Sequence, residues 1–223
     1  MNPLNNEKPE SAESVALPNH PFRVSENGIK VTLVCQVIGA IEEAMKIPYR
    51  KERIVDVQRK IFSLGHWSLL EHSSITLKIE GISRATSHQL VRQRIGVTFT
   101  QESQRYTQVE VNPAGWYVTP PRIPPQALER YFEFMEQASN LYQELLELGV
   151  RKEDARYVLP NATKTNIMTT WNLSSLVWFF EQRKAKAAQW EIRELANCIY
   201  NLIMEELPSW SEFLQFWSLG TRH

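Results

Sequence analysis

Cysteine is nearly missing from this chain: only Cys35 and Cys198 occur in 223 residues. They stand far apart and form no CxxC pair, which excludes a disulfide scaffold and a zinc ribbon. Two reduced, partly buried thiols are expected instead. Glycine is also scarce, with eight residues. None falls in a GxGxxG or GxxxxGK[ST] pattern, so both standard phosphate loops are absent. An excess of one charge is missing too, since 25 Lys plus Arg balance 25 Asp plus Glu. Proteins that coat nucleic acid or an acidic membrane are normally basic. Neither partner is expected here, and any anion must be held by a local cluster of cations. The uncharged stretch 165–180 is broken by Thr, Asn and Ser, so it is no membrane span. The polar, proline-rich first residues lack the apolar centre of a signal peptide, which makes the cytoplasm the expected location.

What is present reads as one α+β domain. Residues 1–22 carry Pro3, Pro9, Pro18 and Pro21 among few apolar groups and read as a flexible tail. Residues 23–223 form the remainder, a length within the range of a single core. Alternating β-branched residues predict strands over 29–37, 73–82 and 164–171. WYVTP (116–120) reads as a further short strand, and TFTQESQRYTQVEV (98–111) as a loop entering a strand. Helices are expected over 41–46 and 53–65, from Ser83 to about Arg94, over 124–149, briefly before Pro160, and after Asn172. The last helices run over about 187–207 and from Ser209 onward. In the 124–149 helix Leu128, Tyr131, Phe134, Met135, Ala138, Leu141, Leu145 and Leu148 follow a helical period. The expected architecture is a single domain with an antiparallel or mixed sheet packed with helices.

Chemistry concentrates between Gly81 and Gln101, where acids are absent and Arg84, Arg92 and Arg94 occur, with Arg105 close behind. Gln89, His88 and Arg92 share a helix face. Thr98, Thr100 and Ser103 follow in a hydroxyl-rich segment. Guanidinium forks with hydroxyls and backbone amides suit a phosphate. Surface arginines paired with acids elsewhere in the fold remain the alternative at this level. His66 and His72 show neither HExxH nor HxxEH spacing, and no metal is expected. Ser103 has no Gly-x-Ser-x-Gly context for a nucleophile.

Two blocks carry more. Arg92-Gln93-Arg94, the spacer IGVTFTQE, then Ser103-Gln104-Arg105-Tyr106 form the first. ARYVLP from Ala155, Asn172, Arg183 and AQWEIR from Ala188 form the second. Together they resemble the flavin-dependent thymidylate synthases, from about Ile29 to the C-terminus. That resemblance implies an α+β homotetramer with active sites built from several subunits. It implies FAD as cofactor, with NADPH and methylenetetrahydrofolate as co-substrates, in the C5-methylation of dUMP to dTMP. Arg183 is implied as the catalytic group against the uracil ring. The implied nucleotide contacts are Gln89, Arg92, Gln101, Ser103, Gln104, Arg105, Arg156 and Arg183. The implied flavin contacts are His66, Ser68, Glu71, Arg92, Gln93, Arg94, Asn172, Ser174 and Trp178. Gln93 stands where the family motif has His, Ser174 where Arg is common, Trp178 where Asn or His is usual, and Ala187 where several members have His. A variant acting on UMP in nucleoside-antibiotic biosynthesis, or a non-catalytic nucleotide-binding relative, are the alternatives.

Overall fold

The computed structural model describes residues 20–50, 56–111 and 115–220. Strands β1 (Phe22–Val24), β2 (Lys30–Val37), β3 (Ser74–Ser83), β4 (Val97–Gln101) and β5 (Lys164–Trp171) form one sheet. Their order is β1-β2-β3-β5-β4, and every pairing is antiparallel. The α+β expectation therefore holds, in its antiparallel form. The helices are α1 (Ala40–Tyr49), α2 (Val57–Leu64), α3 (Arg84–Leu90), α4 (Pro125–Glu147), α5 (Lys152–Ala155), α6 (Leu173–Arg183), α7 (Trp190–Glu206) and α8 (Pro208–Gly220). Short 3₁₀ turns cover Trp67–His72 and Arg156–Val158.

Period-two alternation decides which sheet face is buried. Ile75, Leu77 and Ile79 of β3, Val31 and Leu33 of β2, and Ile167 and Trp171 of β5 face inward. Leu176, Phe179 and Phe180 of α6, Ile199 and Leu202 of α7, and Trp210 of α8 join them in one core. The opposite face carries Lys78, the half-exposed Met168 and a Thr76–Thr170 hydroxyl pair at 2.9 Å. A second apolar cluster gathers Trp116, Met135, Tyr142 and Ala155 about α4. Cys35 is half-buried, Cys198 is buried, and both are free thiols.

Four sequence expectations need correction. The helix capped by Ser83 ends at Leu90, not near Arg94. The chain must turn there so that β4 can pair with β5, and Gly96 makes the turn with φ +66°. The strand in the hydroxyl-rich segment precedes the loop, because pairing with Ile167–Trp171 selects residues 97–101. WYVTP is no strand; only Tyr117 bridges, to Thr163. The helix expected over 124–149 is found as α4, with Met135, Ala138, Ser139 and Tyr142 buried and Phe134, Leu141 and the following Leu148 exposed. Residues 1–19 of the expected tail lie outside the described residues. At its end, Pro21 accepts a 2.9 Å hydrogen bond from the Leu33 amide, and Phe22–Val24 form the edge strand β1, which the sequence reading omits.

Candidate active site

The Arg92–Ile95 loop is held against the N-terminus of α6. Asn172 caps that helix, its Oδ1 accepting from the Ser175 amide at 2.8 Å. The Asn172 amide donates to the Gly96 carbonyl at 2.9 Å, and the Ser175 hydroxyl donates to the Ile95 carbonyl. Neither Gly96 nor Ser175 is distinguishable as a site residue in the sequence. Gly96 is needed twice over, since its φ is left-handed and a Cβ there would collide with Asn172 and Ser175. Gly96→Ala is expected to cost about 2 kcal/mol or more, from the left-handed backbone and the collision together. A lowered denaturant midpoint with weakened anion binding by the loop would show it.

Between loop and helix lies a cavity of about 340 Å³, lined by Arg92, Gln93, Arg94, Ile95, Ser174, Ser175 and Trp178. Ser174 and Trp178 are one helical turn apart on α6, so both reach the same side. The structure thus brings together Arg92, Gln93, Arg94, Ser174 and Trp178, with Asn172 as the clamp beside them. The two guanidiniums, the Gln93 amide and the Ser174 hydroxyl offer donors to phosphate, and the indole offers a flat apolar wall. A flavin dinucleotide presents phosphates and flat rings, so these residues fit such a group.

The C-terminal end of α6 meets the C-terminal end of α3. Arg183 Nη2 donates to the Gln89 carbonyl at 3.5 Å, which ties the second sequence block to the helix just ahead of the first. The other end of α3 is anchored from α7. Glu191 is 2% exposed, and its carboxylate accepts from the Ser83 amide and the Ser83 hydroxyl, each at 2.6 Å. Ser83 Oγ in turn accepts from the Thr86 amide at 3.1 Å as the helix cap. Gln189 caps α7 and places Glu191 in its first turn, where the helix dipole favours a carboxylate. Glu191 is a positioning residue that sequence reading had no means of pairing with Ser83.

Lys184, next to Arg183, is half-buried, with Nζ 3.0 Å from the centroid of the Tyr200 ring. Burial pushes its amine down to about 8 from 10.5, while the ring face offsets part of that cost. The unfolded chain binds this proton between pH 8 and 10.5 and the native chain does not, so the group's contribution to stability rises with pH across that window. Lys184→Met is expected to flatten the rise, measured by denaturant midpoints at either end of it.

A second group sits at the far end of β4. The Gln101 amide donates to Ser87 Oγ at 3.0 Å and to Thr165 Oγ1 at 3.1 Å. Ser103 Oγ accepts from the Arg105 amide at 3.2 Å, and Gln104 is buried. Arg105 Nε pairs with Glu153 at 2.7 Å, and Arg156 Nε donates to the Glu153 carbonyl at 3.0 Å. Arg84, at the start of α3, donates to the Glu102 carbonyl at 3.4 Å. Burial and then the Arg156 charge hold its guanidinium below the ordinary arginine range, and Glu102 partly opposes them. Like charges brought together this way favour an anion between them. Arg84 belongs to this group, although the resemblance did not mark it.

The two groups stay apart within one chain. Four strand rises, about 13 Å, separate the ends of the five-residue β4. The cavity at Arg92–Ile95 does not reach Ser103, Gln104, Arg105 or Arg156. His66, Ser68 and Glu71 lie on or beside the 3₁₀ turn Trp67–His72. His66 Nε2 is 3.1 Å from the Tyr49 hydroxyl, while Ser68 and Glu71 are exposed. That turn leads into Ser73, whose Oγ accepts from the Leu173 amide at 2.9 Å, so it borders the start of α6. A larger cavity, about 610 Å³, lies elsewhere, between the β1–β2 turn and α7. Its charges are largely spent internally: Arg23 pairs with Glu205, Glu194 accepts from Asn27, and Arg193 donates to the Lys186 carbonyl. Trp190 and Arg193 of the second block and Cys198 line it, but none of the implied nucleotide or flavin contacts does. No group of His, Cys, Asp and Glu suited to a metal occurs among the described residues.

The chain matches the family described as "Thymidylate synthase complementing protein" over residues 31–209. Three curated relatives carry the name flavin-dependent thymidylate synthase. That of Geobacter sulfurreducens is 46% identical over 157 residues, 67% of this chain and 65% of the relative. That of Sulfolobus acidocaldarius is 48% identical over 135 residues, 59% of this chain and 50% of the relative. That of Pyrococcus furiosus is 45% identical over 140 residues, 61% of this chain and 57% of the relative. The chain thus spans between half and two thirds of these relatives' length. The family match takes in α3, the Arg92–Ile95 loop, α6 and all of α7. By that match, this chain belongs to the thymidylate synthase complementing protein family.

Proposed function

We propose that the protein is a flavin-dependent thymidylate synthase, methylating C5 of dUMP to give dTMP with FAD, NADPH and methylenetetrahydrofolate. One observation carries this reading: the two sequence blocks meet where the Arg92–Ile95 loop lies on α6, and Arg183 at the other end of that helix bonds Gln89, just ahead of the first block. When bound, the flavin supplies the hydride that completes the methyl group. The chain's own residues bind and orient. Arg92 and Arg94 hold phosphate at the loop, with Gln93, Asn172 and Ser174 as hydrogen-bonding neighbours and His66, Ser68 and Glu71 bordering the ring. Gln101, Ser103, Gln104, Arg105 and Arg156 hold the nucleotide's phosphate and ribose, with Arg84 alongside. Arg183 places positive charge against the uracil, which favours ionisation at N3 and raises electron density at C5. The separation of the two groups along β4 supports active sites completed by neighbouring copies, and a homotetramer. No helix among the described residues is long and apolar enough to cross a membrane, in keeping with a cytoplasmic enzyme acting on a small nucleotide.

A second reading is favoured by the convergence of Gln93, Ser174 and Trp178 in one cavity. All three differ from the residues the resemblance leads one to expect, which suits a relative that binds nucleotide without flavin chemistry. Flavin absorbance after reconstitution with FAD separates the two. Retained yellow colour with dUMP binding supports the synthase; dUMP binding by a protein that takes up no FAD supports the second reading.

A further inference from the structure

α6 presents three aromatic residues in succession, and they part company. Phe179 and Phe180 are each 1% exposed and pack on Trp171, Tyr200 and Trp217. Trp178 is 55% exposed and makes no ring, cation or hydrogen-bond contact among the described residues. An indole left in water forgoes much of the stabilisation its burial would bring. Its ring lines the cavity that Arg92 and Arg94 line from the loop, with Ile95 as the other large apolar wall. A flat apolar face beside two guanidiniums recognises a planar aromatic ring joined to a phosphate. At about 340 Å³ the cavity lies near the lower end of ligand-pocket volumes, room for part of a dinucleotide.

We propose that Trp178 is the stacking platform for one ring of the bound flavin dinucleotide, and that Arg92 and Arg94 take the phosphate attached to it. This rests on the flavin reading above and assigns the ring contact to a residue that departs from the Asn or His the resemblance leads one to expect. The indole then supplies by stacking what Ser174, being uncharged, does not supply by ion pairing. Both ends of FAD offer a ring joined to a phosphate: ADP carries one, FMN the other.

The test titrates the full chain with FAD, ADP and FMN, following tryptophan emission and flavin fluorescence without turnover. Trp178→Ala is expected to weaken FAD by about tenfold or more, the usual scale for removing one stacking partner. Trp178→Phe is expected to stay within about threefold, because it keeps an aromatic face. Whichever of ADP and FMN carries the stacked ring weakens in parallel with FAD, and the other is unaffected. Equal FAD affinity in the wild type and Trp178→Ala overturns the proposal alone. So does a changed oligomeric state in Trp178→Ala with unchanged affinity, which would make the indole a subunit contact. A wild type that binds none of the three ligands overturns it together with the flavin reading. Indole-dependent binding of ADP without FAD binding overturns it as well, since the stacked ring would then belong to an adenine nucleotide and not to a flavin.

Discussion

Arg183→Ala is expected to lower kcat by about 10²–10³-fold, the scale for removing one preorganised charge from a reacting centre. The fold should survive. Arg183 is half-buried at the end of α6, and its recorded bond is a single long one, 3.5 Å to the Gln89 carbonyl. A bond at that length contributes little to stability. The circular dichroism spectrum and denaturant midpoint should match the wild type. Arg183→Lys keeps the charge but not the planar fork, so partial recovery is expected. Near-normal turnover in Arg183→Ala would remove the uracil-polarising role.

Glu191→Ala should have the largest effect on stability. Two hydrogen bonds to a buried carboxylate disappear, and the Ser83 amide and hydroxyl lose their acceptor inside the core. Losses of this kind sum to about 3 kcal/mol or more. The damage is directional, because Ser83 caps α3 and α3 leads to Gln89 and the Arg92–Ile95 loop. Glu191→Gln retains an acceptor for the Ser83 amide, but the Ser83 hydroxyl proton must find another, so about half the loss should return. Urea midpoints give the stability, and nucleotide titrations at saturating fold give the displacement of α3. An unchanged midpoint in Glu191→Ala would show that the carboxylate does not anchor the helix.

The parts legible in the sequence are those where local pattern and tertiary demand agree. β5 alternates from Lys164 to Trp171, and Asn172 follows as a true cap, so strand, cap and α6 are found as expected. β4 is different. VTFTQ alternates only weakly, and it is a strand because the edge of β5 is there to pair with it. The same pairing cuts α3 short at Leu90, a decision made 80 residues downstream. β1 is three residues long and exists through its register with Val31. In α4 the period reveals a helix but not which apolar groups meet the core, since Phe134 and Leu141 turn outward.

For the site, composition shows only a cation cluster without acids. The grouping of Arg92, Gln93 and Arg94 with Ser174 and Trp178 crosses about eighty positions, and only the resemblance joins them beforehand. Gly96 and Glu191 lie inside the quoted blocks without an implied role, and Ser175 and Arg84 lie outside them, because each acts through a neighbour brought close by folding. Trp178 shows the limit most plainly. As one of three consecutive aromatics it reads equally well as core, and its exposure separates it from Phe179 and Phe180.

The most direct test of the enzyme reading is one paired reaction. The purified protein is incubated with FAD, NADPH and methylenetetrahydrofolate, with dUMP in one tube and UMP in the other, and the nucleotides are weighed by mass spectrometry. The predicted result is conversion of dUMP to the mass of dTMP, with UMP unchanged. Unaltered dUMP from a protein that has bound both FAD and the nucleotide would contradict it.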